Sequence, residues 1–104
     1  MADWTKVGTT DDFGDDSVFG VIVGGKRIAI YSVDGAVYAT DDMCSHGQAS
    51  LSEGWLEDGL IECPLHQGLF DVRTGEPKGA PCTLPIATYP AKLEGTDVFV
   101  QIVA

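Results

Sequence analysis

An antiparallel all-β domain is what this sequence predicts, on three observations. Runs rich in β-branched and aromatic residues recur at Ser17 to Val23, Lys26 to Val33 and Ala36 to Thr40, a composition that suits pleated, half-buried strands. The gaps between them are dipeptides with turn chemistry, Gly24-Gly25 and then Asp34-Gly35, and Gly95-Thr96 sits the same way between 88–94 and 97–103. Such pairs accept the positive φ of tight hairpins. Finally, 13 glycines and 5 prolines are scattered so that few windows hold three helical turns.

Taken in order, the N-terminal stretch TTDDFGDD, Thr9 to Asp16, offers one helical turn, capped by Thr9 or Thr10 and interrupted by Gly14. Two hairpins follow, from Ser17 to Thr40. Inside them, Gly20 to Arg27 matches the front of a phosphate-binding loop, but Arg27 stands where Ser or Thr would hold Mg²⁺. The glycines also lead into a strand rather than a helix, so no nucleotide site is expected. Cysteine- and histidine-bearing loops occupy the chain from about Asp41 to Leu84, and a last hairpin closes it.

A chain of 104 residues is one domain by length. At that size folding buries roughly 60–70% of the surface, enough for a core without a disulfide framework. No apolar run approaches the ~20 residues that span a bilayer. The first sixteen residues carry acid where a signal peptide carries base, so a cytoplasmic protein is expected. Sixteen acidic against six basic residues give a net charge of −10. That balance disfavours nucleic acid, whose phosphates need clustered Lys and Arg, and suits encounter with positively charged protein surfaces.

The chemistry concentrates in CSHGQASLSEGWLEDGLIECPLHQG, Cys44 to Gly68. Both histidines and two of the three cysteines fall there, as Cys44-x-His46 and Cys63-x-x-His66, with sixteen residues between the pairs. An odd cysteine count excludes a fully paired disulfide scaffold, and in the cytosol cysteine points to metal or redox work. Two thiolates and two imidazoles could make a tetrahedral zinc site. Each loop, however, supplies one of each. That suits a two-iron cluster with both thiolates on one iron and both imidazoles on the other.

The motif and its flanks, from Tyr38 to Glu94, resemble the Rieske [2Fe–2S] ferredoxins of bacterial aromatic-ring-hydroxylating dioxygenase systems, of the naphthalene and biphenyl type. The resemblance implies an antiparallel β-sandwich base, residues 1–40 and 85–104, with an inserted cluster-binding subdomain at about 41–84. It implies that Cys44 and Cys63 hold one iron, and that His46 and His66 bind the other through Nδ1. It also implies a one-electron carrier, with an NAD(P)H-dependent flavin reductase and a terminal oxygenase as partners. Gly47, Gln48, Gln67 and Pro81 then become candidates for docking, together with Trp55, which is either exposed there or packed beneath the loop.

The sequence departs from the high-potential members of the family. Their loops carry a further cysteine pair, and the matching positions here are Ala49 and Leu65. Their Ser and Tyr, which donate hydrogen bonds to sulfur, are matched by Gly68 and Phe70. Such bonds stabilise the reduced cluster, so their loss lowers the potential. The acids Asp41 and Asp42 are expected to push the same way. A potential near roughly −150 mV is therefore expected, the low end of the Rieske range. Cys82 is read as a packing residue in a proline-containing loop.

With both histidines committed to iron, no base remains for a Ser-His-Asp or Cys-His arrangement. A Rieske oxygenase would need a second iron held by two His and a carboxylate, and no histidine is left for it. The remaining alternative is a zinc-bound or cluster-free subunit that uses the fold only for docking.

Overall fold

The computed structural model describes residues 4–14, 17–43, 50–64, 68–79 and 85–102. Among these residues eleven strands run β1 Trp4–Thr9, β2 Val18–Val23, β3 Lys26–Val33, β4 Ala36–Asp41, β5 Trp55–Glu57, β6 Leu60–Glu62, β7 Leu69–Asp71, β8 Pro77–Gly79, β9 Thr88–Tyr89, β10 Ala91–Glu94 and β11 Asp97–Gln101. Short 3₁₀ turns occupy Thr10–Phe13 and Leu51–Glu53. All pairings are antiparallel, in three sheets ordered β1-β11-β10, β2-β3-β4-β9 and β5-β6-β7-β8. No helix among the described residues is long and apolar enough to cross a membrane.

Strand β3 explains why three layers form. Its Ile28 to Tyr31 run is fully buried, and successive side chains point to opposite faces. Ile28 and Ile30 join Val37, Ala39, Val98, Val100 and Phe13 on one face, toward the β1-β11-β10 sheet. Ala29, Tyr31 and Val33 join Leu51, Ile61, Cys63, Phe70 and Val72 on the other, toward the β5–β8 sheet. The central sheet is thus covered on both sides, and a continuous apolar run is what such a strand requires.

The expected hairpins are present. Gly24-Gly25, Asp34-Gly35 and Gly95-Thr96 each join consecutive strands, and Asp34 and Gly35 both take positive φ, 51° and 84°, the conformation a type I′ turn demands. The expected helical turn is a single 3₁₀ turn, Thr10–Phe13. Asp12 Oδ2 accepts the Thr9 N–H at 2.9 Å, Gly14 ends it at φ 58°, and the buried Phe13 meets Phe19 edge-on at 4.9 Å.

Residues 88–94 do not form one hairpin arm. β9 pairs with β4, whereas β10 pairs with β11, and Pro90 stands between them. Proline offers no N–H to a ladder, so the chain changes sheets there. The Tyr89 hydroxyl donates to Asp41 Oδ1 at 2.5 Å, fastening the junction. Partial burial, and then the carboxylate acceptor it would lose as a phenolate, push the Tyr89 pKa up to about 12. Burial pushes Tyr31 up as well. An unfolded tyrosine releases its proton near pH 10.0, so between that pH and about 12 only the unfolded chain gains charge. Stability from this source is full below pH 10.0 and lost as pH rises through the window. Urea melts across that range should show the loss, and Tyr89→Phe should make it shallower without removing it, since Tyr31 remains.

Candidate metal centre

Strands β6 and β7 pair through Glu62 and Leu69. One residue further on, the Cys63 N–H donates to the Gly68 carbonyl at 2.8 Å. The excursion between them, which carries His66, is therefore closed at its base by the backbone. Cys63 is a free thiol and fully buried, in the same apolar cluster as Leu51, Ile61 and Phe70.

The other Cys/His pair falls in the sequence between Met43 and Ser50, which form an isolated antiparallel bridge. Beyond it, Leu51 N–H donates to the Asp42 carbonyl at 2.6 Å. The turn Leu51–Glu53 then delivers Gly54 against the Glu62 backbone, so close that a Cβ on Gly54 would lie 1.9 Å from the Glu62 carbonyl oxygen. The exit of one Cys/His loop thus touches the entry of the other. Gly79 pairs with Leu69 on the same stem.

Of the residues singled out in the sequence, Cys63 is placed by the structure. Cys44, His46, Gly47, Gln48, His66, Gln67, Pro81 and Cys82 lie outside the described residues, as do Ala49 and Leu65. Trp55 is exposed, at 61%, and does not pack beneath the loop. It edges a shallow cleft of about 240 Å³ with Glu57, Asp58, Leu60, Glu62 and Leu69. Gly68 and the fully buried Phe70 sit beside Cys63 with no hydroxyl to offer its sulfur.

Asp42 differs from its expected role as an acid whose charge acts on the site. It is 3% exposed and paired with Arg27 at 3.2 Å, so its field is that of an ion pair rather than a lone charge. Sequence reasoning missed this pair, because Arg27 lies on another strand and no local spacing announces the contact. Gly54 was missed too.

The geometry and donor set fit a Rieske-type cluster. A buried cysteine stands in apolar surroundings, at a loop closed by the backbone and abutting the stem of the other Cys/His loop. The Rieske [2Fe–2S] domain model matches residues 3–90. The chain belongs to the Rieske family. It is 45% identical over 102 residues to the anthranilate 1,2-dioxygenase ferredoxin subunit of Burkholderia cepacia, covering 98% of this chain and 94% of that one. Against the ferredoxin component of the naphthalene 1,2-dioxygenase system of Pseudomonas putida, identity is 48% over 99 residues, covering 95% of each. Among solved structures, the ferredoxin in a complex of reduced oxygenase and oxidised ferredoxin of carbazole 1,9a-dioxygenase superposes with a TM-score of 0.85. It is 41% identical, with 94% of this chain and 92% of that one covered. This Rieske chain carries one [2Fe–2S] cluster and is an electron carrier rather than a catalyst.

Proposed function

We propose that this chain passes single electrons from an NAD(P)H-dependent flavin reductase to a terminal aromatic-ring-hydroxylating oxygenase, in the cytoplasm. The observation that carries the reading is the buried, unbridged Cys63 thiol at a loop base that abuts the stem of the second Cys/His loop. Likeness over almost the whole chain to ferredoxin components of dioxygenase systems supports it. Cys44 and Cys63 would hold one iron, and His46 and His66 the other. When bound, the cluster supplies a one-electron redox couple. The chain's own part is to bury the Cys63 side chain among Leu51, Ile61 and Phe70 and to withhold hydroxyl donors at positions 68 and 70.

Residues 41–84 would form the cluster-binding subdomain, on a base of 1–40 and 85–104. The β5–β8 sheet supports this division, since all four of its strands come from residues 55–79. Gly47, Gln48 and Gln67 would meet the partners because they neighbour the proposed ligands in the chain, and Pro81 would do so from its place in the resembling family.

Electron paramagnetic resonance during a stepwise reductive titration tests the reading. A rhombic reduced-cluster signal is expected, with a midpoint near roughly −150 mV. A colourless protein containing zinc would overturn it, and a midpoint well above zero would refute the role given to the missing hydroxyls.

A further inference from the structure

The first ligand loop leaves β4 and returns through the Met43–Ser50 bridge, a single pairing that would by itself fix its ends weakly. The residue just before that bridge is Asp42, a carboxylate buried to 3% exposure. Burial of a charge is costly unless partners replace the lost water. Asp42 has such partners on two elements. Its Oδ2 lies 3.2 Å from Arg27 Nη2 on β3, and its Oδ1 accepts the Ser52 N–H at 2.8 Å. Its backbone repeats the pattern, with its N–H donating to the Arg27 carbonyl at 3.0 Å and its carbonyl accepting from Leu51. Arg27 Nη2 also donates to Ser50 Oγ. Gly20 on β2 leaves room for the assembly, since a Cβ there would come within 2.7 Å of Ser52 Oγ.

One carboxylate and one guanidinium therefore tie the residue before the loop, and residues 50 and 52 after it, to the central sheet. An arginine suits this post because its planar fork can serve two acceptors at once. We propose that Asp42 and Arg27 are positioning residues for the first ligand loop, setting how Cys44 and His46 are presented to the cluster. This rests on the reading of Cys44 and His46 as ligands.

The test uses the cluster-loaded protein and compares Asp42→Asn, Arg27→Met, the double variant and Ser50→Ala. Each of the first two should speed chelator-driven bleaching about tenfold and shift the resonance g values. The double variant should bleach no faster than either single, because both remove one shared device. Ser50→Ala deletes only an acceptor of Arg27 on a half-exposed residue, endangers the fold least, and should move the same readouts less. Gly35→Ala, which strains the turn at the far end of β3 and β4 and so lowers stability away from Asp42, should leave bleaching and g values unchanged, whereas an effect of general stability loss would not spare it.

Bleaching within about twofold of the parent in both single variants, with unchanged g values, would overturn the inference. Rates that simply multiply in the double variant would do so too. A parent protein that holds no [2Fe–2S] cluster would instead refute the proposed function. A loaded parent with indifferent variants refutes this inference alone.

Discussion

Replacing Cys63 with alanine should yield a colourless protein that keeps its strands. The Cys₂His₂ set has no spare donor among the histidines, since the chain contains only two, and removal of one thiolate leaves an iron incompletely held. Iron and acid-labile sulfide should fall below about a tenth of the parent's. The fold should persist, because what holds the loop base is backbone, the Cys63 N–H on the Gly68 carbonyl and the Glu62–Leu69 pairing. The side-chain loss is one sulfur from a fully buried site, a truncation that costs about 1 kcal/mol. Far-UV circular dichroism checks the strands, and metal analysis checks the cluster. Cys82→Ala is the counterpart and should stay red-brown, in keeping with a packing role. A red-brown Cys63→Ala protein would remove Cys63 from the ligand set, and a bleached Cys82→Ala protein would add Cys82 to it.

The parts of this molecule that were legible in the sequence are those whose physics is local. Two-residue turns announce themselves, because positive φ at Asp34 and Gly35 restricts residue choice on the spot. The Cys/His loops announced themselves for a related reason, as soft donors at short, paired spacing. Asp58-Gly59 gave the same turn signal, with φ of 54° and 79°, yet it lay inside the ligand region and its flanking strands of three residues were read as loop. Strand β1 escaped because half of Trp4–Thr9 is exposed and its partner, β11, lies at the far end of the chain. Strand β3 read as half-buried like its neighbours, whereas Ile28 to Tyr31 are buried on both faces, because which sheets cover those faces depends on pairings remote in sequence. The Arg27–Asp42 pair belongs to that class as well. Asp42 read as one more acid in an acidic chain until β3 was placed beside it.

Gly54→Ala should be among the most damaging single methyl additions in the described part of the chain, beside Gly75→Ala, whose Cβ would lie 2.1 Å from the Ile86 carbonyl oxygen. The backbone there is ordinary, with φ −88° and ψ −163°, so glycine is needed for space and not for conformation. A Cβ would lie 1.9 Å from the Glu62 carbonyl oxygen and 3.2 Å from the Leu51 carbonyl oxygen. Both are backbone atoms that cannot swing aside as a side chain would. Relief requires β6 to move off the turn at Leu51–Glu53, against the Trp55–Glu62 pairing and the shared packing of Leu51, Ile61 and Cys63. The expected cost is about 3 kcal/mol or more, and about 4–8 °C of melting temperature goes with each kcal/mol in a domain of this size. Gly35→Ala makes the comparison quantitative. Its φ of 84° strains an alanine, but nothing lies within 4 Å of the added carbon, so it should cost only about 1–2 kcal/mol. Thermal melts of the two variants decide the matter. If Gly54→Ala melts higher than Gly35→Ala, the two ligand-loop stems are not in backbone contact. If it melts lower and also releases its cluster faster, the contact that joins the stems also keeps the ligand loops in register.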